Sequence, residues 1–306
     1  LMQRGFDGPF VIENEADNSA HTGNPGATVQ GFQAAVLCLA PVALVFIVSV
    51  TDQDSLVKNG FSFFPTKTTA YAYQYIFADF SSVVRAYGVT IATTIIGTLA
   101  SLLMTAMYAY PLSRKSFKYR NFFALFVYFT MLFNGGLIPW YLLYAKYLHL
   151  QNSLAILIVP YLVSAFNVLI MRTYFSTNVP DSLVEAAKMD GASELRTFFS
   201  IILPLSTPVL ATIALFNALM YWNDWYLSLI FITQDSYVNI QFMMYRIMIS
   251  IQNLIIAVGQ NPAMAAELAK VPDQTARMAM AIIGIGPLIL AYPFFQRYYV
   301  KGLTLG

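Results

Sequence analysis

Apolar residues run along this chain in long unbroken stretches, not in the short alternations of a soluble fold. A helix needs about 20 apolar residues to cross a hydrocarbon core of about 30 Å. Windows of that kind lie at 32–50, 86–110, 121–145, 150–171, 207–233 and 278–296, and Asp224 is the only charged residue in them. A single such run also suits the core of a large soluble protein. Six in one chain predict an all-α membrane protein with six transmembrane helices.

Polar positions mark what lies between and before these windows. Residues 1–31 hold Gly5, Gly8, Pro9, Asn14, Asn18, Gly23, Asn24, Pro25 and Gly26 with no apolar period, so they are read as a polar N-terminal tail ahead of a transmembrane domain at 32–306. The tail lacks the basic start and short apolar core of a cleaved leader. Gly135, Gly136 and Pro139 interrupt the third window. They either break the helix where it faces protein or a water-filled path, or form a turn at the membrane interface with Trp140 and Tyr141 as belt aromatics. The 234–277 connection repeats Ile240, Met243, Met244, Ile247, Ile251, Leu254, Ile255 and Val258 at steps of three and four, with Arg246, Gln252 and Asn253 off the stripe. That pattern predicts an amphipathic helix, which packs on the chain itself, lies at the membrane interface or meets a partner.

Composition agrees. Hydrophobic residues are 58% of 306 positions and charged ones 10%, with a mean hydropathy of +0.61. A soluble domain carries about 25% charged residues. A net charge of +2 gives no reason to expect a nucleic-acid partner. Cys38 is the only cysteine, so neither a disulfide nor a thiolate metal cluster is expected. Basic residues then set orientation. Arg114, Lys115, Lys118 and Arg120 follow the second window, Arg172, Lys188 and Arg196 the fourth, and Arg297 and Lys301 the sixth. Positive residues favour the cytoplasmic side of short loops, which predicts a multi-pass chain with both termini inside.

The connection at 179–204 differs from an ordinary loop. Pro180 followed by Asp181 suits a first helical turn, where a missing donor costs nothing and a carboxylate meets the positive end of the dipole. Leu183, Ala186 and Ala187 give a small-residue face flanked by Glu185 and Lys188. Gly191 permits a sharp turn, and Asp190 or Ser193 is placed to cap a second helix through Phe198, Phe199, Ile201 and Ile202 that stops at Pro204. The expectation is a stiff helical hairpin.

Glu185-Ala186-Ala187, Asp190-Gly191-Ala192, Phe198, Ile201, Leu203 and Pro204 resemble the EAA signature of ATP-binding-cassette importer permeases. Phe133-Asn-Gly-Gly-Leu-Ile-Pro-Trp140, Asn152-Ser-Leu-Ala155, Tyr221-Trp-Asn-Asp-Trp225, Thr275-Ala-Arg-Met-Ala279, Tyr292-Pro-Phe-Phe-Gln-Arg-Tyr298 and Lys301-Gly-Leu-Thr304 are similar to the carbohydrate-uptake, maltose-transporter-like permeases. The nearest likeness is to a branch for oligosaccharides or polysaccharide fragments, and it covers about residues 70 to 306. The resemblance implies a type I importer permease fold in the bacterial cytoplasmic membrane. It also implies a coupling loop in which Glu185, Ala186, Ala187, Asp190, Gly191 and Ala192 contact a cytoplasmic ATPase. The implied partners are a second permease subunit in a heterodimer, two ATPase copies and an extracytoplasmic solute-binding protein. ATP and magnesium would bind the ATPase subunits, since no Gly-x-x-x-x-Gly-Lys-Ser/Thr loop occurs here.

Sugars are held by aromatic faces against the apolar sides of the rings and by amides or carboxylates at the hydroxyls. Tyr221, Trp222, Asn223, Asp224 and Trp225 have that composition, and Asn134 and Asn217 are further path candidates. The alternative for Asp224 is a place in an outer aromatic belt. His21 and His149 have no nucleophile or metal partner in sight, so no catalytic site and no metal site are expected. The competing function is an ion-driven secondary sugar transporter, which needs titratable groups buried in the spans.

Overall fold

The computed structural model describes residues 25–260 and 271–303. Among these the only β-type pairing is the isolated bridge Thr51–Thr68. Segment 1–24 of the tail and residues 261–270 of the 234–277 connection lie outside the described residues, and residues 25–31, grouped with the tail by composition, are already helical.

Helix α1 (Pro25–Ser49) is followed by α2 (Gln53–Asn59) and α3 (Tyr71–Ile76). A 3-10 turn at Phe77–Asp79 leads into α4 (Phe80–Ser113), a 34-residue helix capped by the Asp79 carboxylate, which accepts the Ser82 N–H. Next come α5 (Arg120–Leu132) and α6 (Leu137–Leu142), the latter running into a π turn at Leu143–Tyr147. The two parts of the third window meet at 113°. The interruption at Gly135 and Gly136 therefore turns the chain aside and does not merely loosen a straight span.

The fourth window, expected as one helix over 150–171, is not one. It opens with 3-10 turns at Ala155–Leu157 and Val159–Tyr161, and α7 (Ala165–Asn178) begins after a 53° bend. The cause is a local anchor. Asn152 sits at φ +54°, and its Oδ1 accepts the N–H groups of Thr233 (2.7 Å) and Gln234 (3.1 Å), tying the segment to a distant loop. Pro160 then lacks the N–H an α-helix would use.

Helices α8 (Asp181–Met189) and α9 (Glu194–Thr197) form the expected hairpin. The second arm continues through a π turn at Phe198–Ile202 and one turn at Leu203–Leu205, then bends by 84° into α10 (Thr207–Trp222). The fifth window also ends early, at Trp222. Asn223 and Asp224 separate it from α11 (Tyr226–Phe231). The amphipathic helix is α12 (Ile240–Gln260), and α13 (Asp273–Leu303) closes the described chain. Among the described residues, Tyr71–Ser113 and Ile240–Val258 are each long and apolar enough to cross a membrane unaided, and the three bent pairs qualify when each is taken as one span.

Along α4 the middle of the helix buries small residues and exposes large apolar ones. The buried side of α4 is Ala86, Thr90, Thr93, Gly97, Ser101, Thr105, Ala106 and Ala109, whereas Ile95, Leu99 and Met107 on its other faces are exposed. Small inner residues let helix backbones approach where no water drives association. Gly97 is the closest approach among the described glycines. A Cβ there would lie 2.6 Å from Cζ of Tyr221, whose ring is buried against α4 and whose hydroxyl donates to the Ile158 carbonyl at 3.0 Å. One turn along α10, Asn217 Oδ1 accepts from Asn167 Nδ2 of α7 at 2.9 Å, a buried amide pair joining two helices. Helix α12 settles on the chain's own surface. Ile240 and Met244 pack with Ala72, Ile76, Val83, Ala86, Ala279 and Ile283 at the end of α4 farthest from the hairpin.

Candidate functional site

The hairpin is built by local rules. Helix α8 starts at Asp181 after Pro180 and stops in a Schellman closure. The Gly191 N–H donates to the Lys188 carbonyl at 3.0 Å and the Ala192 N–H to the Ala187 carbonyl at 2.9 Å. Gly191 takes φ +77°, the left-handed region that only glycine enters at no cost. Ser193 rather than Asp190 caps the next helix, its Oγ accepting the Arg196 N–H at 3.3 Å.

Val184 turns inward to the core that holds Ala109, Phe175, Phe198 and Ile202, and Ala187 is also buried, while Leu183, Glu185, Ala186, Met189, Asp190 and Gly191 are exposed. The small-residue face expected from Leu183, Ala186 and Ala187 is thus divided: one Ala seats the helix and the other two residues are presented outward. Met189 is 84% exposed and Leu195 64%.

The hairpin is fastened to the end of α4. Asp181 lies 3.4 Å from Arg114 Nη1 and 3.3 Å from Lys115 Nζ. Glu194 receives the Tyr110 hydroxyl at 2.9 Å and the Lys188 ammonium at 2.6 Å. The Lys188 ammonium holds the Glu194 carboxyl below its ordinary range, burial opposes this, and the Tyr110 hydroxyl adds to the depression. Sequence reasoning missed Tyr110, Arg114 and Glu194 in this role. The only signal was the basic run itself, which was used for orientation alone.

The structure separates the candidate sugar residues. Asn134 is exposed and makes a turn, its Oδ1 accepting the Gly136 N–H at 2.8 Å. Asn217, Tyr221 and Trp222 are buried, with Trp222 Nε1 donating to the Gly284 carbonyl at 2.8 Å. Asn223 is exposed, and its Nδ2 donates to the Leu219 carbonyl. Asp224 is buried. Its Oδ1 accepts the Tyr161 hydroxyl at 3.2 Å and the Leu227 N–H at 3.3 Å, and its Oδ2 has no protein partner. Trp225 alone of the five shows a ring face, 39% exposed and stacked at 4.8 Å on Tyr245. Nearby, Trp140 stacks on Tyr226 at 6.2 Å. Trp225 meets Tyr226 edge-on at 6.1 Å, so these four rings, Trp225, Tyr226 of α11, Tyr245 of α12 and Trp140 of α6, form one aromatic run that sequence spacing did not bring together.

The sequence profile of the family described as binding-protein-dependent transport system inner membrane component matches residues 113–305. The polygalacturonan/rhamnogalacturonan transport system permease protein YtcP of Bacillus subtilis (strain 168) is 36% identical over 274 residues, covering 89% of this chain and 93% of that one. An arabinooligosaccharides transport system permease protein, AraQ of Halalkalibacterium halodurans, is 29% identical over 89% of this chain and 91% of its own length. Among solved structures, a chain of a bacterial ABC transporter involved in the import of the acidic polysaccharide alginate superposes with a TM-score of 0.71 at 28% identity, covering 92% of this chain and 98% of that one. These relatives support a permease of the ATP-binding-cassette type and not the ion-driven alternative. The chain, with its type I importer fold and its exposed hairpin at 179–204, belongs to the family of binding-protein-dependent transport system inner membrane components.

Proposed function

We propose that this chain is one half of a heterodimeric permease that moves oligosaccharides or polysaccharide fragments across the bacterial cytoplasmic membrane. Two copies of a separate ATPase dock on the cytoplasmic side, and a solute-binding protein delivers sugar on the other. The observation that carries the reading is the hairpin: a capped, rigid pair of helices that presents Glu185, Ala186, Met189, Asp190 and Gly191 while burying Val184 and Ala187. The relatives that transport polygalacturonan, rhamnogalacturonan and arabinooligosaccharides support the substrate class. The hairpin end carries Arg114, Lys115, Lys118, Lys188 and Arg196, which supports a cytoplasmic place for it. For the sugar path, the exposed ring of Trp225 and the amide of Asn223 supply contact groups. Asp224, Tyr221, Trp222 and Asn217 shape the helices behind them, and Asn134 sets a turn.

The experiment purifies Glu185→Ala and Gly191→Val with their partner subunits and measures ATPase retention and sugar uptake. A docked carboxylate that loses its partner costs about 2–5 kcal/mol, or roughly 30- to 5000-fold in association. Gly191→Val forces a β-branched residue to φ +77° and is expected to be worse. Normal ATPase binding and normal sugar-stimulated hydrolysis in both variants would remove the hairpin from the coupling role.

A further inference from the structure

Each helix of the hairpin opens on a carboxylate, and both carboxylates are gripped by the end of α4. Asp181, the first residue of α8, meets Arg114 and Lys115; Glu194, the first residue of α9, accepts the Tyr110 hydroxyl. The grips are not independent. The Arg114 guanidinium lies 5.1 Å above the Tyr110 ring, so both belong to one cluster in the last turn of α4 and the residue after it. Arg114 is buried, with Nε and Nη2 lacking a hydrogen-bond partner, which gives the cluster a desolvated centre.

From this cluster α4 runs to the other end of the molecule. Its Thr90 Oγ1 accepts the Ile240 N–H of α12 at 2.9 Å, and its Tyr87 hydroxyl donates to the Ile283 carbonyl of α13 at 2.8 Å. Thr90 and Tyr110 are about 30 Å apart along the helix axis. Between them Gly97 receives Tyr221 of α10. One continuous helix is thus hydrogen-bonded to the hairpin at one end and to α12 and α13 at the other.

We propose that Tyr110–Glu194 and Arg114–Asp181 form the joint through which movement of the hairpin reaches the rest of the permease, and that α4 is the element that carries it. The proposal rests on the reading of the hairpin as the ATPase docking element. Two fixings at the starts of two differently directed helices define the orientation of the hairpin against α4 as well as its position. A displacement at the docking surface then turns α4, and its far end alters the seats of α12 and α13. If the joint is loosened, the hairpin follows the ATPase while α4 stays behind, so hydrolysis continues without moving sugar. Tyr110, Arg114, Asp181 and Glu194 are positioning residues in this scheme.

The test reconstitutes the full transporter with Tyr110→Phe, Asp181→Asn and the double variant, each of which keeps side-chain shape. The measured quantity is sugar moved per ATP hydrolysed in the presence of the sugar-loaded binding protein. Each single variant is expected to lower this ratio about three- to tenfold, the range for one partly exposed charge-assisted contact, while the assembled complex is recovered in normal yield. The double variant is expected to fall further than either single. Glu185→Ala, on the docking surface, is measured beside them. A lowered ratio for Glu185→Ala with unchanged ratios for Tyr110→Phe and Asp181→Asn would overturn the joint and leave the docking reading intact. Unchanged ratios in all of them would overturn both. Loss of assembly in the joint variants, with the ratio preserved in whatever complex remains, would show a structural role only and also overturn the joint.

Discussion

Replacing Gly97 by Ala would add one methyl group where, among the described glycines, the surroundings lie closest. Its Cβ would lie 2.6, 2.7 and 2.8 Å from Cζ, Cε2 and Cε1 of Tyr221. The ring has nowhere to withdraw, since it is 1% exposed and its hydroxyl is fixed on the Ile158 carbonyl. Overpacking of this kind costs about 1–3 kcal/mol. Moving the ring also leaves a buried carbonyl without its donor, another 1–3 kcal/mol or so. Against this stands about 1 kcal/mol from the better helix propensity of Ala. The balance is a destabilisation of about 1–5 kcal/mol. The assay is reversible unfolding of the purified chain in mixed micelles, titrated with sodium dodecyl sulfate and followed by tryptophan fluorescence. In a Tyr221→Leu background the obstacle is gone, so the same Gly97→Ala change should become stabilising by about 1 kcal/mol, the propensity gain alone. A variant that is as stable as the parent in the native background would refute the close approach. So would an equal effect in both backgrounds.

Two further outcomes follow from the buried pair and the hairpin. Asn217→Leu strands the Asn167 amide in an apolar interior and should cost about 1–3 kcal/mol, whereas Asn167→Leu with Asn217→Leu should recover most of it, as measured by the same unfolding titration. The Glu194 carboxyl is held below its ordinary value near 4.5, so its stabilising effect is fully present above that pH and is lost as pH falls through the lower folded value. The stability difference between the parent and Glu194→Gln should therefore be constant from pH 7 to about 5 and vanish in more acid solution. A difference that grows on acidification would contradict the assignment of Lys188 as its main partner.

The elements written in local chemistry were legible. Pro180, Gly191 and Ser193 each act within a few residues of themselves, and the hairpin they predict is the one that forms. The apolar stripe of α12 was readable for the same reason. The fourth and fifth windows were not, because apolarity reports what a segment is immersed in and not whether it is continuous. The start of the 150–171 run, ahead of Ala165, is held out of α-helix by Asn152, whose partners Thr233 and Gln234 are remote in sequence. The run at 221–225 divides in a related way. Tyr221 and Trp222 direct their polar tips to the Ile158 and Gly284 carbonyls, so aromatic composition there supplies helix packing and leaves only Trp225 with a free face.

The inward smallness and outward bulk of α4 also decide which amino-acid changes such a chain can survive. In a soluble core, trimming a side chain opens a cavity and is the damaging direction. Here Leu99 and Leu103 point away from the packed interior, 63% and 43% exposed, so shortening them leaves no void in this subunit. Enlargement at Ala86, Ser101, Ala106 or Ala109 drives helices apart and is the direction the fold rejects. Drift over generations is then one-sided at each site. The tightly packed positions from Ala86 to Ala109 are expected to accept Gly, Ala, Ser and Thr, and the outer ones Leu, Ile, Met and Phe. The alphabet allowed at a position records how near the next backbone lies.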